Sequence, residues 1–295
     1  MSIKEKILRV IIKLGQEKDV WDAKGNDTLV VEGLRTSCQI NYGNGAVMPS
    51  ARIKVYGLKL DSIMKLLRVK WNTEQAMMNL VQVEAGEQDN LSVVYTGNIT
   101  FAYPEMGGAP DICLVIESHT AVLWQLKPAE AVSHEGETDV AKAIEAICKR
   151  MGRRFENNGV KAKISNQYLP NTELDKIRHI AAAANIDVYI DNETVAITPK
   201  GQPRMIDVPI VSPSTGLIGY PIPDLQGVKL QCLYDKALRF GGLIEVAGSL
   251  IEQCNGRWRV FGLSLDLESQ TPGGKWLADI KAANVEDTNA KVATK

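Results

Sequence analysis

Asn255-Gly256-Arg257-Trp258-Arg259-Val260-Phe261-Gly262-Leu263-Ser264-Leu265-Asp266-Leu267 is the stretch whose reading decides the fold. Trp258 and Val260 take even positions and Leu263, Leu265 and Leu267 odd ones, with single residues between, which is the period-two pattern of a strand. The change from even to odd would turn the side chains to the opposite face unless one extra residue is absorbed. A β-bulge is therefore predicted at Phe261-Gly262. Upstream, Val228, Leu230, Cys232 and Tyr234 alternate, and Ile244, Val246 and Leu250 do so across Gly248. Gly241-Gly242, Asn255-Gly256 and Pro272-Gly273-Gly274 supply turns. Residues 203–283 thus read as a β domain, followed by a polar, alanine-rich tail over 284–295 expected to be mobile or ordered by a partner.

The first region, 1–128, reads the same way. Leu8, Val10, Ile12 and Leu14 alternate, so the start of the chain is a strand; Arg9 and Lys13 interrupt what would otherwise resemble a signal sequence. In residues 91–103, Leu91, Val93, Tyr95, Ile99, Phe101 and Tyr103 alternate with smaller or polar residues. Gly97 interrupts them where a bulge or bend is expected. Further strands are predicted at Leu34–Tyr42, Ala51–Tyr56, Met78–Ala85 and Ile112–Glu117, with turns at Gly43-Asn44-Gly45 and Gly107-Gly108. A short helix capped by Asp61 carries Ile63, Leu66 and Leu67 on one face.

The period changes over 129–202. From Thr138, read as an N-cap, Val140, Ile144, Ile147, Cys148 and Met151 recur at helical spacing up to Gly152. A second helix starts near Asn171 or Thr172, carries Leu174, Ile177, Ile180, Ala181 and Ala184, and ends near Asn185. Strands Ile186–Ile190 and Glu193–Thr198 follow, joined at Asp191-Asn192 as a tight hairpin. The fold class is mainly β with an α+β insert.

Composition narrows the function. The 295 residues carry 34 Lys and Arg against 35 Asp and Glu, so bulk charge gives no attraction to nucleic acid. No run approaches the roughly 18 uninterrupted apolar residues of a membrane span, so no stable membrane insertion is expected. The 5 cysteines are scattered, without a C-x-x-C pair or a nearby histidine, and read as reduced thiols with no metal site. His119, His134 and His179 fall in three different contexts, and no catalytic residue is assigned. Asp187 with Asp191, and Asp266 with Glu268, follow strand periodicity and read as solvated acidic faces. The glycine turns lack the spacing of phosphate-binding loops, so no cofactor is expected. Arg150, Arg153 and Arg154, beside Lys149, make the one compact basic cluster. Complementing a helix dipole is the simpler reading, and contact with an acidic partner the other.

Several passages resemble the central baseplate hub proteins of tailed bacteriophages, a family related to the hub domains of type VI secretion spikes. The strand Ala51–Tyr56 with Gly57-Leu58 and the helix after it is similar to a passage of the first hub barrel, with Tyr56 and Leu58 in place and Gly57 where asparagine is common. Tyr95-Thr96-Gly97-Asn98-Ile99 is similar to a later strand of that barrel. In the second barrel the matching pieces, in order, are Gly216-Leu217-Ile218-Gly219-Tyr220-Pro221, Gly227-Val228-Lys229-Leu230 with Tyr234, Arg239-Phe240-Gly241-Gly242-Leu243-Ile244-Glu245-Val246, Asn255-Gly256-Arg257-Trp258-Arg259-Val260, and Pro272-Gly273-Gly274-Lys275-Trp276.

The resemblance implies two related β-barrels, 1–128 and 203–283, flanking a small α/β insert over 129–202. It further implies a non-enzymatic subunit of the virion tail baseplate, made in the host cytoplasm, three copies of which form a ring adapting a sixfold tail tube to a threefold spike. The expected partners are further copies of the chain, the tube or distal tail protein, the central spike and the C-terminus of the tape-measure protein, with DNA met only in transit. The chain ends soon after the last barrel strand, so no appended hydrolase is expected. The alternative is a cell-wall or glycan-binding subunit of a tail-associated hydrolase.

Overall fold

The computed structural model describes residues 5–15, 20–22, 24–43, 47–67 and 78–285. Strand makes up 50% and helix 15%, against roughly 20–25% strand in an average globular protein, so the chain is mainly β. It divides into two compact units. One takes residues 1–41, 48–123 and 264–277, and the other 42–47, 124–263 and 278–295.

The first unit is built on β1 (Ile7–Lys13), β2 (Thr28–Val31), β3 (Thr36–Tyr42), β4 (Ser50–Tyr56), α1 (Leu60–Leu66), β5 (Leu80–Glu87), β6 (Asn90–Glu105) and β7 (Cys113–His119). The strands run in the order β3-β4-β7-β6-β5-β1-β2, every neighbouring pair antiparallel. Leu8, Val10, Ile12 and Leu14 are buried, as the alternation requires. Each such side chain contributes about 2 kcal/mol when withdrawn from water. Helix α1 begins two residues earlier than expected: Lys59 is its N-cap without a side-chain hydrogen bond, and Asp61 sits in the first turn. There a carboxylate still favours the helix through its dipole.

The expected single face of β6 is broken twice. Val83 pairs with Tyr95 and Glu84 with Val93, which leaves Val94 as an extra residue; Ile99 pairs with Ser118 and Phe101 with Glu117, which leaves Thr100 as another. Val94 and Tyr95 are consequently both buried, while Val93 is exposed. Gly97 serves a different purpose from the expected bend. The Tyr95 hydroxyl lies over it and donates to Ser118 Oγ at 3.0 Å, and Ser118 Oγ donates to the Asn98 carbonyl at 2.7 Å. A Cβ on Gly97 would collide with the Tyr95 hydroxyl and stand 2.6 Å from Ser118 Oγ.

The second unit opens with α2 (Val122–Leu126), β8 (Val132–Asp139), α3 (Val140–Arg150), β9 (Arg154–Asn157), β10 (Lys163–Leu169), α4 (Glu173–Ala184), β11 (Ile186–Asp191) and β12 (Thr194–Pro199). Helix α3 is capped by Asp139, whose carboxylate accepts from the Lys142 amide at 2.9 Å; Thr138, the expected cap, is held in β8 opposite Ile164. Thr172 caps α4, and Asn185 closes it in a left-handed conformation. The stripes read from sequence meet: Val140, Ile144, Ile147 and Cys148 of α3 share one core with Ile177, Ile180 and Ala181 of α4 and with Val188, Val195 and Ile197 of the hairpin. That hairpin turns through Asn192-Glu193, one residue later than expected, with Asp191 opposite Thr194. Strand β9, running parallel to β12, and the β8–β10 pair were not legible, because neither segment alternates cleanly.

The remaining strands are β13 (Ile210–Val211), β14 (Leu217–Asp224), β15 (Gly227–Leu233), β16 (Leu243–Val246), β17 (Gly256–Ser269) and β18 (Trp276–Asn284), in the order β14-β15-β18-β17-β16-β13, and residues 264–277, which end β17 and begin β18, count with the first unit. Along β17 the buried apolar residues are Trp258 and Val260, then Leu263, Leu265 and Leu267, so the inward face changes phase across Phe261-Gly262 as expected. The division between the two units falls directly after this change, at Leu263. Residues 286–295, which include most of the expected mobile tail, and the turn residues Asn44 and Gly45 lie outside the described residues.

The two closed barrels expected from sequence are not found as closed rings of strands among the described residues; the pairings form open paths. Among the described residues the first unit's order ends at β2, four residues long and paired only to β1, and the second's ends at β14, where Pro221 and Pro223 bring no N–H to a further ladder.

Candidate functional site

A dense polar cluster of the second unit gathers around Arg204, which is buried. Its guanidinium takes Glu156 of β9 in a two-point clasp, Nε to Oε1 at 3.1 Å and Nη2 to Oε2 at 2.8 Å. Nη1 donates to Asp191 Oδ2 at 2.9 Å and to the Phe240 carbonyl at 3.0 Å, while the Arg204 amide donates to the Gly241 carbonyl at 2.9 Å. One side chain thereby ties β9, the end of β11 and the loop before β16 together. Asn158 extends the cluster: its Nδ2 donates to Glu156 and its Oδ1 accepts from the Met205 amide at 2.8 Å.

The electrostatics follow from the geometry. Burial pushes the Arg204 pKa down, but the bonds to Glu156 and the charge of Asp191 outweigh it and leave it raised. The hydrogen bond from Arg204 holds the Glu156 carboxyl below its usual value. Beside this clasp the Tyr189 and Phe240 rings meet edge-on, centroids 5.2 Å apart, and Arg259 Nη1 donates to the Tyr189 hydroxyl at 2.8 Å. Gly241 has φ +80°, and a Cβ there would stand 2.8 Å from the Tyr189 ring, so both backbone and space require glycine.

Asp187 and Asp191, expected on a solvated face, are instead engaged: Asp191 by Arg204, and Asp187 by Lys200 Nζ at 2.6 Å and the Gly201 amide at 2.8 Å. Asp266 pairs with Lys275 at 2.8 Å, and Glu268 accepts from the Lys275 amide. His119 ends β7, His134 lies on β8 and His179 is exposed on α4, so these positions stay in separate elements. Among the described residues, no group of three or more His, Cys, Asp or Glu is placed to hold a metal ion, and no helix is long and apolar enough to cross a membrane.

The basic cluster read from sequence is largely engaged within the chain. Arg150 clasps Glu173 through Nε at 2.6 Å and Nη2 at 3.0 Å. Burial pushes Glu173 up, but the Arg150 bond and charge leave its pKa lowered. Arg153 Nη1 donates to the Asn192 carbonyl at 2.7 Å, Lys149 pairs with Glu145, and Arg154 has an exposed side chain on β9.

The motif residues fall at turns and close approaches. Tyr56 ends β4 under the Arg35 guanidinium, 4.3 Å from the ring centroid, and half-buried Leu58 follows Gly57 in the turn to α1. Gly216 packs on Leu233, Gly227 on the backbone of Ala282 and Ala283, Gly242 on Ile206 and Gly262 on Lys281, while Gly219 and Gly256 face open space. Pro221 is buried, Trp276 is buried at the start of β18, and Trp258 Nε1 donates to the Cys254 carbonyl at 2.9 Å. Sequence reasoning missed Arg204 because nothing in Gly201-Gln202-Pro203-Arg204 signals a buried cation and its carboxylate partners are far away in the chain.

Known proteins place this arrangement. The model of a family described as baseplate hub gp41 matches residues 7–273. Among solved structures, the chain is similar to a 43 kDa tail protein of prophage MuSo2 from Shewanella oneidensis, at 10% identity and a TM-score of 0.60, covering 96% of this chain and 97% of that one. It is also similar to a tail protein from Neisseria meningitidis MC58, at 9% identity and a TM-score of 0.60, covering 94% and 96%. A third is the c3393 protein of E. coli, a component of the type VI secretion system described as structurally similar to the T4 bacteriophage tail proteins gp27 and gp5; identity is 11%, the TM-score 0.57 and coverage 85% and 73%. At such identities the likeness is one of fold. Curated protein sequences give no match.

Proposed function

The chain belongs to the baseplate hub gp41 family, and from that premise we propose that three copies form a ring joining a sixfold tail tube to a threefold spike. A structural role in the phage tail baseplate is what the family carries. The single observation behind the reading is the family match over residues 7–273, supported by folds shared with phage tail proteins and a type VI secretion component.

The finer picture is our own. Residues 1–128 and 203–283 act as two comparable lobes and 129–202 as an insert, so three chains present six lobes around one axis. Such a ring needs head-to-tail contacts between unlike surfaces that close after three copies. Its neighbours are the tube or distal tail protein above, the central spike below and the end of the tape-measure protein, with DNA passing through without sequence-specific contact. The subunit works by its surfaces and not by catalysis. Synthesis in the host cytoplasm accords with five cysteines that are all unpaired and buried.

Mass photometry of the purified chain, alone and with the spike and tube proteins, tests this. The expected species is a trimer; a chain that stays monomeric in every mixture overturns the proposal.

A further inference from the structure

The strand at the free edge of the second unit's sheet carries an apolar stripe that the fold leaves uncovered. Among the described residues β14 pairs with β15 alone. Leu217 and Pro221 turn inward, while Ile218, Tyr220 and Ile222 stand outward. Ile218 lies opposite Gln231 and Ile222 opposite Lys229, so Leu233, two residues beyond Gln231, shares their face. Leu225 stands fully exposed at the hairpin tip, and the others range from 39% exposed at Ile218 to 64% at Ile222. Their combined exposed surface, backbone and the Tyr220 hydroxyl included, is about 600 Å², comparable with the largest patches on monomers and below the roughly 800 Å² that each partner gives a stable interface.

The edge itself resists the addition of a strand. Proline has no N–H, so Pro221 and Pro223 remove donors at two positions of like parity, and two β14 strands laid edge to edge would each lack the donors the other needs. A twofold β14–β14 ladder is therefore disfavoured, which leaves side-chain packing against an unlike surface. The rim is electrically satisfied: Lys229 pairs with Asp224 at 2.9 Å and Gln231 donates to Asp279 at 2.9 Å. Nothing in it selects a strongly acidic or basic partner.

We infer that this stripe is where one copy of the chain docks on a different surface of the next copy, closing the ring head to tail. The inference rests on the trimeric reading above and names the contact that would hold it. Isologous contacts stop at a dimer, whereas an unlike pair of surfaces repeats around an axis. The proline-blocked edge with its apolar outer face suits the second arrangement.

The test compares wild type with Tyr220→Glu/Ile222→Glu, with Leu225→Glu alone, and with Met205→Glu, an exposed site off the stripe. Mass photometry and sedimentation report assembly, and circular dichroism with thermal melting reports folding. The double variant is expected to weaken trimer formation at least 100-fold and Leu225→Glu about 10-fold, both with unchanged spectra, while Met205→Glu assembles as wild type. Should the double variant fold poorly, Leu225→Glu at the solvated tip decides. A trimeric wild type whose assembly ignores the stripe substitutions, or responds equally to Met205→Glu, overturns this inference alone. A wild type that never trimerises overturns the ring reading and this inference with it.

Discussion

Arg204 and Glu156, distant in sequence, meet in a two-point clasp of 3.1 and 2.8 Å that the Asp191 carboxylate completes from the other side. Removing the cation leaves two carboxylates with poor access to water, and breaking such a buried arrangement from one side costs about 3–5 kcal/mol. Arg204→Met is therefore expected to lower stability by that amount in urea unfolding. Neutralising the partners as well, in Arg204→Met/Glu156→Gln/Asp191→Asn, should restore part of the loss. Equal losses in the two variants would show that the carboxylates are not the source of the cost.

Gly97 is expected to tolerate no side chain. Gly97→Ala puts a methyl group where the Tyr95 hydroxyl and Ser118 Oγ already lie, and overpacking of this kind costs about 1–3 kcal/mol. The companion Gly97→Ala/Tyr95→Phe removes the offending hydroxyl and should melt higher than Gly97→Ala alone, although Tyr95→Phe by itself lowers stability by losing the Ser118 bond. A double variant no more stable than Gly97→Ala would locate the strain elsewhere.

The cysteines set an alkaline limit. Burial pushes the thiols of Cys148 and Cys232 up to about 12 from an ordinary 9.0. A raised folded pKa gives stability that is complete below the unfolded value and is lost as pH climbs through the folded one. The melting temperature should thus fall between about pH 9 and 12, and less steeply in Cys148→Ala/Cys232→Ala, which removes the thiols from the lysine and tyrosine background. All five cysteines are free and buried, so a thiol reagent should label the native chain slowly and the denatured chain at five sites.

The acidic side runs the other way. Glu156 and Glu173 are held below the usual carboxylate value by Arg204 and Arg150. Their stabilisation is present above the unfolded value near 4.5 and is lost as pH falls through the lower folded one. Acid unfolding monitored by fluorescence should begin at higher pH in Arg150→Met than in wild type.

Helix α4 offers a local check on the boundaries read from sequence. Thr172 Oγ1 accepts from the Asp175 amide at 3.2 Å, and Thr172→Ala should cost about 1 kcal/mol. Asn185 caps the other end with φ +48°, so Asn185→Gly should be neutral or slightly stabilising and Asn185→Ala destabilising. Chemical denaturation of the three variants separates these signs.

What the sequence made legible was local period. The alternation of β1, the phase change within β17 and the stripes of α3 and α4 each depend on residues a few positions apart, and each is present. What escaped depends on residues far apart. Val94 and Thr100 become bulges only because β5 and β7 impose their own registers on β6. Asp191 leaves the solvated face that strand period assigns it only because Arg204 arrives from a separate segment. Strand β9 is too short for its alternation to stand out. The basic cluster was visible as composition, but its pairing with Glu173 and the Asn192 carbonyl was not.

The interleaving of the two units bears on how the chain is made. The first unit lacks residues 264–277 until most of the polypeptide has been translated. At typical elongation rates, the interval between completing residue 123 and supplying this segment is on the order of ten seconds. During it β3 lacks the neighbour that β17 supplies and stays open to chaperones and to neighbouring nascent chains, so truncated products should aggregate while the full-length chain stays dispersed.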